Sequence, residues 1–310
     1  MKTWDPAPPP HQSHGLEVAW RLLRPHTLTA SLIPVLIGTA LARISGPFFY
    51  PLRFLAMLAA SLLIQAATNM INEYYDFQRG LDSAESVGIG GAIVRHGVPA
   101  VTVLRLAIAL LAGAVLLGVY LALVSSPWVF VVGIAAIGVG YLYSAGPRPI
   151  SHGPFGELVA GVLMGGLLII LAFYIQTGQV TLTSLLLSVP TVFLVGAILM
   201  ANNIRDRDND RAHGRRTLAI MLGKRRAVTV LGAMMAAAYV WTLGLATLAM
   251  VPWWTVLVVG SLFSAAQAIR RFRRAEYPAD MMPAMQATAA TNTHFGLLLT
   301  IGLLLSHLFR

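Results

Sequence analysis

Apolar runs of about 20 residues recur along almost the whole chain, and no other feature limits its fold as tightly. They lie at about 27–44, 52–74, 101–123, 126–146, 157–176, 185–205, 226–248, 251–270 and 284–308. A helix of ~17–25 residues crosses the roughly 30 Å of hydrocarbon in a bilayer. Inside lipid every backbone N–H and C=O must be satisfied within its own segment, which requires helices rather than open sheets. The expectation is an all-α membrane protein with nine transmembrane helices. Composition agrees, because only 11% of the 310 residues are charged, where a soluble domain carries about 25%. The absence of cysteine excludes disulfides, thiolate catalysis and Cys-ligated metals. The first 25 residues are polar and proline-rich and lack the pattern of a cleaved secretory signal. The expected division is therefore a tail at 1–25 and a single transmembrane domain at 26–310.

Charge sets the orientation. With the N-terminus in the cytoplasm, every Lys and Arg except Arg43, Arg53 and Arg310 falls on the cytoplasmic side, as the positive-inside rule requires. All twelve acids fall on that same side. The chemistry is expected at the cytoplasmic face of a multi-pass cell-membrane protein.

Two acidic clusters stand out. The first runs from Asn72 through Glu73, Asp76 and Gly80 to Asp82. Asn72 and Asp76, four apart, share a helix face, and Gly80 lets the chain turn so that Asp82 folds back toward it. The second runs from Asn202 and Asn203 to Asp210, with Asn202, Asp206 and Asp210 forming an oxygen ladder at spacings of four. Asp208 points elsewhere and is expected to pair with neighbouring arginines. Four spans separate the clusters, which suggests two halves facing one another across a cavity. Oxygen donors without His or Cys suit a hard cation, and magnesium commonly shares substrate phosphates. Arg95, Arg205, Arg215, Arg216 and Lys224 are at hand to add positive charge. The plain alternative is a set of capping acids and solvated loop charges. Two such clusters in a chain this poor in acid argue against it, since polar groups at membrane depth are costly to keep.

These residues resemble the two aspartate-rich motifs of the UbiA superfamily of intramembrane prenyltransferases. Asn72, Asp76 and Asp82 match the first motif, while Asp206 and Asp210 match the second. The third acid of the first motif comes six residues after Asp76 rather than four as in many members. The resemblance implies a nine-helix bundle that binds a polyprenyl diphosphate through Mg2+ held by Asn72, Asp76, Asp82, Asp206 and Asp210. It implies catalytic roles for Asp76, Asp206 and Tyr143. It implies substrate contacts from Arg24, Asn72, Arg95, Arg148, Asn203, Arg205, Arg215 and Lys224. Many members carry a Tyr-xxx-Lys element after the fourth span. Here Tyr143 is followed by Ser144-Ala145-Gly146-Pro147, and Arg148 is the nearest cation. The stretches Arg24–Ala30, Gly88–Arg95 and Gly214–Ala219 are most similar to the branch that prenylates 1,4-dihydroxy-2-naphthoate in menaquinone synthesis. The implied reaction moves the prenyl chain onto that aromatic acceptor with loss of carbon dioxide and diphosphate. The implied partners are the two substrates and the lipid bilayer, with no nucleic acid. A sibling acceptor such as 4-hydroxybenzoate or homogentisate is the nearest alternative. A transporter is a more distant one, because transporter acids gather at the bilayer midplane.

Weaker signals have plainer readings beside them. Gly88-Ile89-Gly90-Gly91 could present backbone N–H groups to phosphate or be a plain loop. His26, His96, His152 and His213 lie near the cytoplasmic face but show no ligand spacing. Trp128, Trp241, Trp253 and Trp254 read as an interfacial belt.

Overall fold

The structure, a computed structural model, describes residues 22–82 and 91–309. Residues 1–21, most of the expected tail, and Gly88–Gly90 of the glycine-rich stretch lie outside the described residues. The described residues are helical, with ten α-helices: α1 Pro25–Ser45, α2 Pro51–Gln78, α3 Ala92–His96, α4 Ala100–Val124, α5 Pro127–Ser144, α6 Gly156–Thr177, α7 Leu182–Ala212, α8 Leu218–Thr247, α9 Leu262–Arg274 and α10 Met282–Leu308. Eight of the described helices are long and apolar enough to cross a bilayer. The expected span at 251–270 differs. It is a 3-10 run, Trp253–Ser261, that passes directly into α9.

Local chemistry sets the helix ends. Pro51 and Pro127 open α2 and α5 at positions where a missing N–H costs nothing. Thr181 and Ser184 form a reciprocal capping box at the start of α7. Two helices run well past their apolar stretches. α2 continues through Asp76 and α7 continues through Asp210, so each acidic cluster is carried rigidly on a membrane helix.

Packing follows the small residues. A π-helical turn, Gly161–Leu167, interrupts α6. Its Gly161 and Gly165 lie directly against the Thr191 and Val192 carbonyls of α7. Four-residue spacing of small residues permits this backbone approach in membranes, and a π-turn is a common device at functional sites. The largest buried cluster joins α1, α6, α7, α8, α9 and α10 and includes Ile33, Phe173, Leu194, Leu231, Phe272 and Phe295. Smaller clusters sit at the two ends of the α2–α4 pair. At the end of the bundle away from the acids, Arg53 donates to the Ile175 carbonyl at 3.0 Å, and Gln176 accepts from Tyr50 N at 2.7 Å. α4 and α5 keep most of their surface unburied, as lipid-facing helices do.

Candidate active site between the two aspartate-bearing helices

The two acidic clusters meet. A cavity of about 610 Å³ lies between α1, α2, α5, α6 and α7. Asn72, Asp76 and Asp82 line it from one side, and Asn202, Asn203, Asp206 and Asp210 from the other. Arg24, Arg95, Tyr143, Arg205 and Arg215 line it as well.

Each placement has a local cause. α2 ends at Gln78, and Gly80 adopts φ +69, which a residue with a Cβ rarely does. The Leu81 N–H then donates to the Asp76 carbonyl at 2.9 Å, which turns Asp82 back toward the cavity. Asn209 of α7 fixes the same turn by donating to the Leu81 carbonyl at 3.2 Å. On α7 the four-residue spacing sets Asn202, Asp206 and Asp210 on the cavity side. Asp208, on another face, pairs with Arg207 at 2.8 Å.

Arg215 joins the two motifs. It donates to Asp76 Oδ1 at 2.5 Å and to Asp210 Oδ1 at 3.0 Å. Its own backbone N–H caps the end of α7 through the Asp210 carbonyl. Burial opposes its charge, but the carboxylates of Asp76, Asp210 and Asp206 prevail and raise its pKa further. Arg205 forms a bidentate pair with Asp206, both contacts at 2.6 Å.

The donor set fits a hard divalent cation. All candidate ligands are oxygens, and Asp210 Oδ2 is buried with no hydrogen-bond partner, a costly state for a carboxylate. Burial, and after it the charge of Asp76, lifts the Asp82 pKa to about 6. Among the described residues no three acidic or histidine groups form a ready-made metal cage. Magnesium does not need one, since it takes one or two carboxylates with waters and substrate phosphates.

Other expected residues distribute as follows. Asn72 donates to Ser144 Oγ at 3.3 Å, and Asn203 donates to the buried Glu157 at 2.8 Å. Tyr143 lies in the wall, with its hydroxyl toward Gly156. Arg148 and Lys224 do not line the cavity. The exposed Gly146-Pro147 turn carries Arg148 outward. Gly223, at φ +73, breaks the helical path of α8, and Lys224 donates instead to the Ala275 carbonyl. His152 sits half-buried near Arg215 and Arg79. Burial, then those two cations, depresses its pKa to about 4 and keeps it neutral.

Two features escaped the reading of the sequence. Glu73, 1% exposed, accepts from Arg24 Nη2 at 3.3 Å and from Ile93 N at 3.2 Å. It thereby ties the start of α1 and the α3 turn to α2. The second is a neutral polar network of Thr27, Ser31, Gln65 and Asn69 in the cavity wall. Its signal was present in the spacing 65-69-72-76, one helix face continuous with the first motif.

Comparisons with known proteins agree with the fold. The profile of the UbiA prenyltransferase family matches residues 31–289. The 1,4-dihydroxy-2-naphthoate octaprenyltransferase of Bacillus subtilis is 50% identical over 303 residues, 96% of each chain. The protein of the same description from Mycobacterium tuberculosis is 32% identical over 268 residues, 86% of this chain and 89% of that one. A UbiA homologue from Aeropyrum pernix K1 shares the fold with a TM-score of 0.65 at 19% identity, covering 88% of this chain and 97% of that one. A UbiA homologue from Archaeoglobus fulgidus, solved bound to GPP and Mg2+, gives 0.60 at 19%, covering 91% and 99%. The chain belongs to the UbiA prenyltransferase family.

Proposed function

We propose that this protein transfers a polyprenyl group from polyprenyl diphosphate to 1,4-dihydroxy-2-naphthoate. Diphosphate and carbon dioxide are released, and the product is the quinol form of demethylmenaquinone. The reaction takes place at the cytoplasmic face of the cell membrane. The observation that carries this reading is the convergence of two aspartate motifs, from α2 and α7, on one cavity whose far end is apolar. The relatives named for this reaction in Bacillus subtilis and Mycobacterium tuberculosis support the acceptor. The cations gathered beside the motifs support the cytoplasmic placement.

Asn72, Asp76, Asp82, Asp206 and Asp210 would hold Mg2+. When bound, magnesium neutralises charge that develops on the leaving diphosphate. Arg95, Arg205 and Arg215 add cationic donors around the same oxygens, in a setting where fixed dipoles and charges act strongly. The allylic C–O bond breaks and its electron pair leaves with the diphosphate. The π pair of the carboxylated ring carbon forms the new C–C bond. The pair of the C–CO2 bond then returns to the ring, and carbon dioxide departs.

The chain's apolar residues hold the prenyl tail. Val139, Leu163, Met164, Leu168, Val195 and Leu199 line one wall of the cavity. A second, apolar pocket of about 80 Å³ shares Ser61, Ile64, Ala136, Leu163 and Leu168 with it and continues between α2, α4, α5 and α6. These walls also keep bulk water from the developing cation.

The test is transfer by the purified protein with magnesium, labelled octaprenyl diphosphate, and 1,4-dihydroxy-2-naphthoate or 4-hydroxybenzoate in parallel. Product with the naphthoate alone, abolished by EDTA, is expected. Product with the benzoate alone overturns the acceptor assignment, and product with neither overturns the reading.

A further inference from the structure

Seven cations gather where the cytoplasmic ends of α8 and α9 meet. Lys224, Arg225 and Arg226 lie in the first turns of α8, and Arg270, Arg271, Arg273 and Arg274 end α9. Lys224 joins the two runs by donating to the Ala275 carbonyl. The six arginines are all exposed. Among the described residues none of the seven forms an ion pair, whereas Arg24, Arg205, Arg207 and Arg215 each pair with a carboxylate. Asp280, nearby in the chain, accepts instead from the Tyr277 N–H at 3.4 Å. Two plainer causes cover only part of this. The positive-inside rule sets the side of the membrane, but it does not gather cations at one place. The C-terminal end of α9 carries about half a negative charge, far short of what seven cations need.

The seam between α9 and α10 continues this patch into the bilayer. At its mouth Arg271 donates to the Pro283 carbonyl at 3.0 Å. Gln267, half-buried, lies one turn deeper on the same face of α9, and Ser264 lies two turns deeper, about 10 Å along the helix. There Ser264 Oγ and His294 Nδ1 of α10 are hydrogen-bonded at 2.9 Å, which leaves His294 Nε2 unbonded among the described residues. His294 is exposed, although it sits about 18 Å along α10 from Met282. A histidine facing hydrocarbon is rare and marks a functional contact. Its surroundings are apolar, since Leu262, Phe263, Leu297 and Ile301 are all exposed.

We propose that the α9–α10 seam binds an anionic glycerophospholipid of the cytoplasmic leaflet. Its phosphate lies among Arg270, Arg271 and Arg274, with Arg225 and Arg226 adding to the positive field. Gln267 and His294 donate to the ester carbonyls below the phosphate, and the acyl chains run along Phe263 and Leu297. Basic pockets between membrane helices on this side suit such head groups. Depth selects a lipid over other anions. An acidic peptide or free phosphate meets only the arginines. A ligand with polar groups below its phosphate, and apolar chains below those, also satisfies His294. None of these residues lines the reaction cavity, so binding is measurable without turnover.

The test is native mass spectrometry of the purified full chain in detergent, titrated with phosphatidylglycerol or with phosphatidylcholine carrying the same acyl chains. Phosphatidylglycerol is expected to be retained and phosphatidylcholine lost. The double variant Arg270→Gln/Arg274→Gln should weaken phosphatidylglycerol binding by roughly 25-fold, at about fivefold for each cation near a membrane surface. Both side chains are exposed, so the variant keeps its fold. His294→Leu should weaken it by roughly 2- to 10-fold, the range for one hydrogen bond. Arg105→Gln, an exposed cytoplasmic arginine of α4 outside the patch, should change nothing. Equal binding of the two lipids overturns the proposal. So does a loss in Arg105→Gln equal to that in the double variant, which would reduce the patch to diffuse surface charge. Unchanged binding in His294→Leu overturns it, and so does displacement of the lipid by equal concentrations of glycerol 3-phosphate or an oligoglutamate peptide, since either makes the arginines alone the site.

Discussion

Arg215 is the cation that joins the two motifs, and replacing it gives a measurable consequence. In Arg215→Met the aliphatic stem is kept while the charge is lost. The side chains of Arg215, Asp76 and Asp210 are only 11%, 14% and 4% exposed, so solvent screens the pair weakly. Removing one partner of a buried ion pair costs about 3–5 kcal/mol, because the other charge is left uncompensated. Two carboxylates are left here, one of them already carrying an unpartnered oxygen. At roughly 2–4 °C per kcal/mol for a domain of this size, the unfolding midpoint in detergent with EDTA should fall by on the order of 10 °C. Magnesium should then restore more stability to the variant than to wild type, since the freed carboxylates no longer have a competing internal cation. Circular dichroism melts with EDTA and with millimolar magnesium read both effects. A midpoint within about 2 °C of wild type in EDTA would refute the buried-pair argument. An equal magnesium shift in both proteins would refute the idea that Arg215 and the metal share the same oxygens.

Three further outcomes follow from the geometry. A Cβ on Gly133, in the wall of the second pocket, meets no atom within 4 Å; Gly133→Phe should fold, transfer geranyl groups normally and lose octaprenyl transfer by about tenfold, as one or two buried methylenes lose their contacts. Equal rates with both donors would contradict the tail path. A Cβ on Gly165 would press into the Thr191 carbonyl of α7. Gly165→Val should therefore destabilise by about 1–3 kcal/mol through overpacking, and a melt matching wild type would contradict the close approach. Asp82, raised to about 6 by burial and then by Asp76, is an acid whose ionisation the metal-free fold resists. The metal-free protein should thus lose stability as pH rises from the unfolded value of about 4 through 6. Magnesium binding requires the carboxylate, so it should weaken below pH 6 and release protons there; proton uptake or a pH-independent affinity would contradict this.

The sequence was informative where one physical demand dominated. The apolar runs revealed the spans because lipid leaves the backbone no alternative to helix. The spacings 72-76 and 202-206-210 anticipated residues that line one cavity, because helix geometry alone sets them on common faces. What was not legible depended on single backbone events or distant partners. Lys224 read as a diphosphate contact from its place beside the second motif, but one left-handed glycine, Gly223, turns it to Ala275. Arg148 read as a stand-in for a family lysine, and the Gly146-Pro147 turn exposes it. Hydropathy at 251–270 could not distinguish a 3-10 run from an α-helix, since both bury the same side chains. Glu73 adjoins Asn72 in the first acidic cluster, and the sequence assigned it no partner. The helix rotates it by roughly 100°, to Arg24 and Ile93, partners 49 and 20 residues away.

The most direct test of the whole account is whether the two motifs act as one site. Asp76→Ala and Asp206→Ala should each remove turnover of octaprenyl diphosphate and 1,4-dihydroxy-2-naphthoate while the purified proteins keep wild-type circular dichroism. The double variant should be no worse than either single one, as for residues that act as a unit. Substantial residual turnover in either single variant, or losses that simply add in the double, would contradict a shared site between α2 and α7.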